Sequence, residues 1–217
     1  MRIHRSIARP AALVATALVL SLGAHAALAG VPDPKVCSTI PGHINLVGAS
    51  PSGIDPRGEF EIVIKDPACS RLPGSIVVVE FLPAGDLRLA AGPVDPGAIV
   101  DCPTRTIRRV TDTNGIARFQ IVGGSTSGAP SGFAPNVRIF ADGYYLGTIK
   151  AGTFDLDGSG GVGGADLALW IDDFGSSSNP NRSDYDGNDF VGGADLAMWL
   201  DVFGASGSTQ SGTGYCP

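Results

Sequence analysis

Near its C-terminus the chain repeats itself, and that repeat constrains the fold more than any other feature. Residues Asp155 to Gly175 and Asp184 to Gly204 align without a gap at an offset of 29, and 14 of the 21 positions are identical. Each copy reads Asp-x-Asp-Gly, a valine at the eighth position, then Gly-Gly-Ala-Asp-Leu-Ala-x-Trp, and closes on Phe-Gly. Leu167, Trp170, Ile171 and Phe174 fall at i, i+3, i+4 and i+7, which predicts one apolar helix face. Leu196, Trp199, Leu200 and Phe203 repeat it. A unit this small cannot bury such a stripe alone, so the two stripes are expected to cover each other, with both tryptophans in the shared core.

Charge singles out the same segment. The whole chain carries −6, and Gly30 to Lys150 balances 11 acids against 11 bases. Asp155 to Asp201 holds ten aspartates against one base, Arg182. Such a segment repels itself unless something neutralises it. The interleaved Trp, Phe, Leu and Val argue against disorder, which leaves bound cations. Their place follows from the spacing. Ca²⁺ takes six to eight oxygens at about 2.3–2.6 Å, and a tightly wound loop turns alternate side chains inward. Counting from the first aspartate, positions 1, 3 and 5 are Asp155, Asp157 and Ser159, then Asp184, Asp186 and Asn188. Position 7 offers a backbone carbonyl, at Gly161 and Phe190. Position 12 returns a carboxylate from the first helical turn, at Asp166 and Asp195, where the helix N-terminus also favours it. Two calcium ions are expected.

A tandem of loop–helix units without entering helices resembles the dockerin type I module, over residues 155–204. The resemblance implies Asp155, Asp157, Ser159, Gly161 and Asp166 as one ligand set, and Asp184, Asp186, Asn188, Phe190 and Asp195 as the other. It also implies a cohesin-like or other surface protein as partner. Two departures stand out. Position 9 is Gly163 and Gly192, so a ligand there must be water. Position 6 of the second loop is Asp189 instead of glycine, and aspartate tolerates the left-handed backbone better than most residues.

Residues 31–150 predict β-structure. His43–Val47, Phe60–Lys65, Ser75–Phe81, Thr106–Val110, Ile116–Val122, Val137–Ala141 and Tyr145–Ile149 are short, rich in β-branched residues, and separated by Gly/Pro-rich turns. Asp112-Thr113-Asn114-Gly115 carries an Asn-Gly hairpin signal, and Asp142-Gly143 a second turn. Seven such strands suggest a β-sandwich. Asp66, Pro73-Gly74, Phe81 and Thr111 to Gly115 resemble the bacterial immunoglobulin-like domains of the invasin and intimin type, which implies a spacer or adhesion module without catalytic residues. The expected fold class is therefore α+β and multidomain. An immunoglobulin-like sandwich (31–150) precedes a dockerin-like module (151–204) and a flexible tail (205–217) that carries Cys216.

The start of the chain reads as an export signal. Arg2, His4, Arg5 and Arg9 precede the apolar run Ala11 to Leu22, and Ala27-Leu28-Ala29 supplies a cleavage pattern, which makes 1–29 a signal peptide. The protein is expected outside the cell or on its surface, without membrane insertion. Cys37, Cys69, Cys102 and Cys216 all follow the cleavage pattern, and an even count in an exported chain favours disulfides. Of the three possible pairings, Cys69–Cys102 with Cys37–Cys216 is the expected one.

Catalysis finds little to work with. Past the leader, histidine is limited to His43 and glutamate to Glu59, Glu61 and Glu80, and nothing in the spacing of Asp95, Asp101 or Glu80 selects an acid/base pair. Gly158, Gly160 and Gly163 match a dinucleotide fingerprint, but aspartates would face the pyrophosphate. The acidic balance also argues against nucleic acid. Asn181-Arg182-Ser183 matches a glycosylation acceptor by pattern alone. Carbohydrate binding through Tyr144, Tyr145 or Phe133 has no support in their spacing. The expected function is non-catalytic: the calcium module docks the sandwich onto a surface partner or, alternatively, stabilises a structural or adhesive exoprotein.

Overall fold

The computed structural model describes residues 30–34, 36–50, 53–83, 86–92, 95–126, 134–176, 181–206 and 214–216. The signal-peptide reading and Phe133 lie outside the described residues. The chain is mostly β with two helices. In order these are β1 (His43–Leu46), β2 (Ala49–Ser50), β3 (Gly53–Ile54), β4 (Glu59–Val63), β5 (Ile76–Phe81), β6 (Leu87–Leu89) and β7 (Ala98–Asp101). There follow β8 (Thr106–Val110), β9 (Ile116–Gln120), β10 (Gly123–Ser125), β11 (Val137–Ala141), β12 (Tyr144–Thr153), α1 (Gly164–Phe174) and α2 (Gly193–Ser206).

Six strands form one sheet in the order β1-β12-β11-β5-β8-β7, while β4 pairs with β9, β6 with β10 and β2 with β3. Alternation decides which residues go inward. Val77, Val79 and Phe81 on β5 are buried between half-exposed neighbours, and the register sets Val79 beside Ile107 on β8 and Ile139 on β11. Ile62, Ala117 and Phe119 from the β4–β9 pair close the same core from the other side. Two sheets sharing one core is the arrangement of a β-sandwich.

All seven expected strands form, but one expected hairpin does not. Asp142 and Gly143, at φ 49° and 82°, turn β11 back onto β12 as a true hairpin. The Asp112–Gly115 turn also forms, with the Asp112 carboxylate accepting from Asn114 N at 2.8 Å and Ile116 N at 3.0 Å. Yet β8 pairs with β5 and β7, while β9 pairs with β4. The reason is the Gly115 carbonyl, which accepts from Ile64 N at 2.8 Å and draws the outgoing strand to the other sheet. The turn is a corner between layers.

The expected disulfides are also corrected. The bonds are Cys37–Cys69 and Cys102–Cys216. Thr39 bridges Val63 and the Ser38 hydroxyl binds Lys65, so the N-terminal segment runs beside the end of β4. Cys69 sits at φ 61° in the adjoining turn, held by the Asp66 carboxylate on Ala68 N and Ser70 N, and this brings its Cα within 5.0 Å of that of Cys37. Cys102 follows β7 and meets the C-terminal segment instead. Among the described residues no helix is long and apolar enough to cross a membrane.

A second core cluster lies under the repeat. Phe154, Leu156, Val162, Trp170, Tyr185, Val191, Trp199 and Val202 are buried together with Val47, which follows β1 in the sheet region. Both tryptophans are where the sequence puts them, and Leu167 and Leu196 pack half-buried against the same cluster, but the other four residues of the expected stripes do not. Ile171, Phe174, Leu200 and Phe203 are 44–56% exposed. The buried line is Asp166, Trp170 and Asp173 on α1, and Asp195, Trp199 and Val202 on α2. The position-12 carboxylate must face the loop, and residues four and seven further on share its side of the helix. Ile171 and Phe174 are thereby turned outward. Phe174 stacks on the rim of Trp170 at 5.5 Å between centroids, and Phe203 on Trp199 at 5.2 Å.

Candidate metal centres

Each loop is launched from a fixed point. β12 leads through Phe154 into Asp155, whose carbonyl accepts from Ser125 N of β10 at 2.8 Å. In the second copy a 3-10 turn, Asn181–Ser183, does this, with Asp184 N donating to Asn181 O at 3.3 Å. From there the two loops wind alike. Asp155 accepts from Ser159 N at 3.1 Å and Gly160 N at 2.9 Å, and Asp184 accepts from Asn188 N and Asp189 N at the same two distances. Such bonds need a left-handed step. Gly158 and Gly160 supply it at φ 68° and 93°, Gly187 and Asp189 at 71° each, so Asp189 takes the glycine conformation as its side chain allows.

The position-12 carboxylates bend back from the helices. One Asp166 oxygen accepts from Leu156 N at 2.6 Å and Asp157 N at 2.9 Å, the other from Gly163 N at 2.6 Å. Asp195 does the same with Tyr185 N, Asp186 N and Gly192 N, at 2.6, 3.1 and 2.8 Å. Thus Gly163 and Gly192 at position 9 serve through their N–H groups. Asp157 accepts from Ser159 N at 2.8 Å, and the Ser159 hydroxyl lies 3.5 Å from the Gly161 carbonyl. Asn188 donates to Asp186 at 2.8 Å, while its amide oxygen accepts from Phe190 N at 2.9 Å. The Phe190 ring is exposed, so this residue can serve a metal through its carbonyl alone.

One carboxylate oxygen each from Asp155, Asp157 and Asp166 lie within 4.8 Å of one another, and the same holds for Asp184, Asp186 and Asp195. Oxygens on opposite sides of a calcium ion sit about 4.6–5.2 Å apart. Both clusters could therefore hold a metal ion, and donor sets of oxygen alone suit a hard cation. Burial drives the electrostatics. It pushes the Asp166 carboxyl up to about 6, and the charges of Asp157 and Asp155 act in the same direction against the loop N–H groups. Burial likewise raises Asp184, and it lowers the His43 imidazole that stands nearby. Carboxylates that resist ionisation beside other carboxylates mark sites short of positive charge.

Around these parallel loops the two copies are held differently. Asp173 at the end of α1 is 2% exposed and takes a forked pair of bonds from Arg182, at 2.8 and 2.9 Å, with the Ser183 hydroxyl at 2.5 Å. The same guanidinium lies 3.5 Å from Asp86, which precedes β6. The sequence alone assigns Arg182 no partner. Two signals pointed to it: it is the lone cation among ten aspartates, and Asp173 is a charged residue where the second copy has Val202. Asn181 is 1% exposed and donates to Ala134 O at 2.7 Å, so the glycosylation pattern falls on a buried side chain. Tyr215 was missed entirely. Its hydroxyl donates to Asp155 from the C-terminal segment.

Comparison with protein-family models, with curated proteins and with solved structures finds no match to this chain.

Proposed function

We propose that this chain is an exported, non-catalytic protein that binds two calcium ions and uses the two helices they organise to dock a surface partner. One observation carries the reading: the same three carboxylates converge in both copies, at a span that suits Ca²⁺. The full ligand sets would be Asp155, Asp157, Ser159, Gly161 and Asp166, and Asp184, Asp186, Asn188, Phe190 and Asp195. The resemblance to dockerins supplies the docking role and a cohesin-like partner.

Exposure supports that role. Gly164, Ala165, Ala168, Ile171, Asp172 and Phe174 are exposed, and so are their counterparts Gly193, Ala194, Ala197, Leu200, Asp201 and Phe203. The duplicated apolar pairs Ile171/Phe174 and Leu200/Phe203 give the surface grip that small Gly-Ala steps lack. Either copy would present much the same patch. Ala165→Arg or Ala194→Arg alone should leave calcium-dependent recovery of a partner from a surface extract largely intact, and the double variant should abolish it. Partner recovery by the double variant would contradict docking through this face.

A second reading has its own observation. The repeat is stitched to the sandwich: Asn45 donates to the Tyr185 carbonyl at 2.8 Å, Arg57 pairs with Asp201 at 2.7 Å, and Lys150 pairs with Asp189. In that case calcium serves to brace a structural or adhesive exoprotein. Chelation would then lower the melting temperature of the whole chain, whereas the docking reading has the sandwich melting unchanged.

A further inference from the structure

We infer that Tyr215, delivered by the Cys102–Cys216 disulfide, is a positioning residue of the first metal site and makes that site tighter than the second. This deepens the calcium reading and rests on it. The segment Gly214–Cys216 lies along β6 as a short added strand: Cys216 N donates to Leu89 O at 2.7 Å, Ala91 N donates to Gly214 O at 2.9 Å, and Tyr215 bridges Ala90. The disulfide fixes the segment's end, with Cys216 itself 2% exposed. Its tyrosine reaches across β10 and donates its hydroxyl to Asp155 Oδ2.

The sheet is cut to let it through. A Cβ at Gly124 would stand 2.8 Å from Tyr215 Cζ and 3.0 Å from Asp155 Oδ2, closer than side chains approach. A side chain at this position in β10 would displace the phenol, and the space the glycine leaves holds the phenol and the carboxylate together.

The consequence is a choice between oxygens. Gly160 N and the phenol both engage Asp155 Oδ2, so Oδ1, with its longer 3.1 Å bond from Ser159 N, would be the oxygen presented to a cation. Outer partners that orient a ligand and set its basicity change metal affinity about 10–100-fold when removed. The second site has the same two loop N–H groups on Asp184, but its outer neighbour is the His43 side chain, which packs against Gly187. Similar loop windings therefore hide unequal sites. Nothing in the repeat announces it, because the decisive residue lies outside the repeat.

The test follows the amide signals of Gly160 and Asp189 during calcium titration of the full mature chain, as one reporter for each site. Tyr215→Phe keeps the ring and removes the hydroxyl. It should weaken binding at Gly160 about tenfold and leave Asp189 unchanged. Cys102→Ser with Cys216→Ser should weaken the same site by loosening the segment. Unchanged affinity at Gly160 in Tyr215→Phe, or an equal loss at both reporters, would overturn the positioning role. Unchanged affinity in the cysteine variant would overturn the tether. If neither amide responds in the unmutated chain, the calcium reading falls and this inference with it.

Discussion

The two loop–helix copies share two-thirds of their residues and nearly every loop hydrogen bond, yet the protein around them treats them differently. The first has buried charge around it: Asp173 pairs with Arg182, whose guanidinium also lies 3.5 Å from Asp86 of the sandwich, and Asp155 takes the Tyr215 hydroxyl. The second puts Val202 where the first has Asp173, and its charged contacts to the sandwich lie at the surface, from Lys150 to Asp189 and from Arg57 to Asp201. Local sequence is enough to wind a loop and aim its carboxylates. What compensates the remaining charge is decided by residues outside the two loops. Similar loops are thus held by unlike supports, and the difference can be measured.

The largest effect should come from Arg182. Arg182→Leu strands two buried carboxylates, Asp173 and Asp86, and should cost about 3–5 kcal/mol in chemical denaturation. Adding Asp173→Val, which copies the second repeat, should recover part of that loss. If the single and double variants are equally unstable, Asp173 was not the partner that mattered.

Protons sharpen the comparison next. The Asp166 pKa is raised from 3.8 to about 6 in the folded, metal-free chain, so folding there favours the protonated acid. The contribution of Asp166 to metal-free stability should be full below about pH 4 and fall by about 2–3 kcal/mol as pH rises through 6, a loss that Asp166→Asn should remove. Calcium needs the carboxylate, so with excess calcium the trend over the same range should reverse. Parallel pH profiles with and without calcium would contradict a cation at Asp166.

Swapping position 6 should have the smallest effect. Gly160→Asp imports the second loop's residue at φ 93° without a lysine counterpart, and should cost about 1 kcal/mol. Asp189→Gly gains backbone ease and loses an exposed ion pair, so it should stay within about 1 kcal/mol of neutral. A large loss from the second swap would mean that Lys150 holds the loop in place.

Much of this was legible in the residues. β-branched alternation marked the seven main strands, and the aspartate spacing marked both carboxylate clusters. β10 escaped because Gly-Gly-Ser has no strand propensity: its glycines leave room for neighbours from other elements. The disulfide pairing and the layer change at Asp112–Gly115 depend on which strands meet, which turn chemistry does not encode. Ile171 and Phe174 matched a helix period but missed the buried side, because the carboxylate at position 12, not hydrophobicity, fixes the helix rotation. Arg182 was signalled by its being the lone base among ten aspartates, whereas Tyr215 was unreadable as a partner because it meets Asp155 from a segment 60 residues away.

The central claim is that both clusters take calcium. Calorimetric titration of the chelated, disulfide-intact mature chain should show two ions per molecule in the unmutated protein. It should show one in Asp155→Ala, one in Asp184→Ala and none in the double variant, with Trp170 and Trp199 fluorescence changing alongside. No heat and no fluorescence change in the unmutated chain would contradict it.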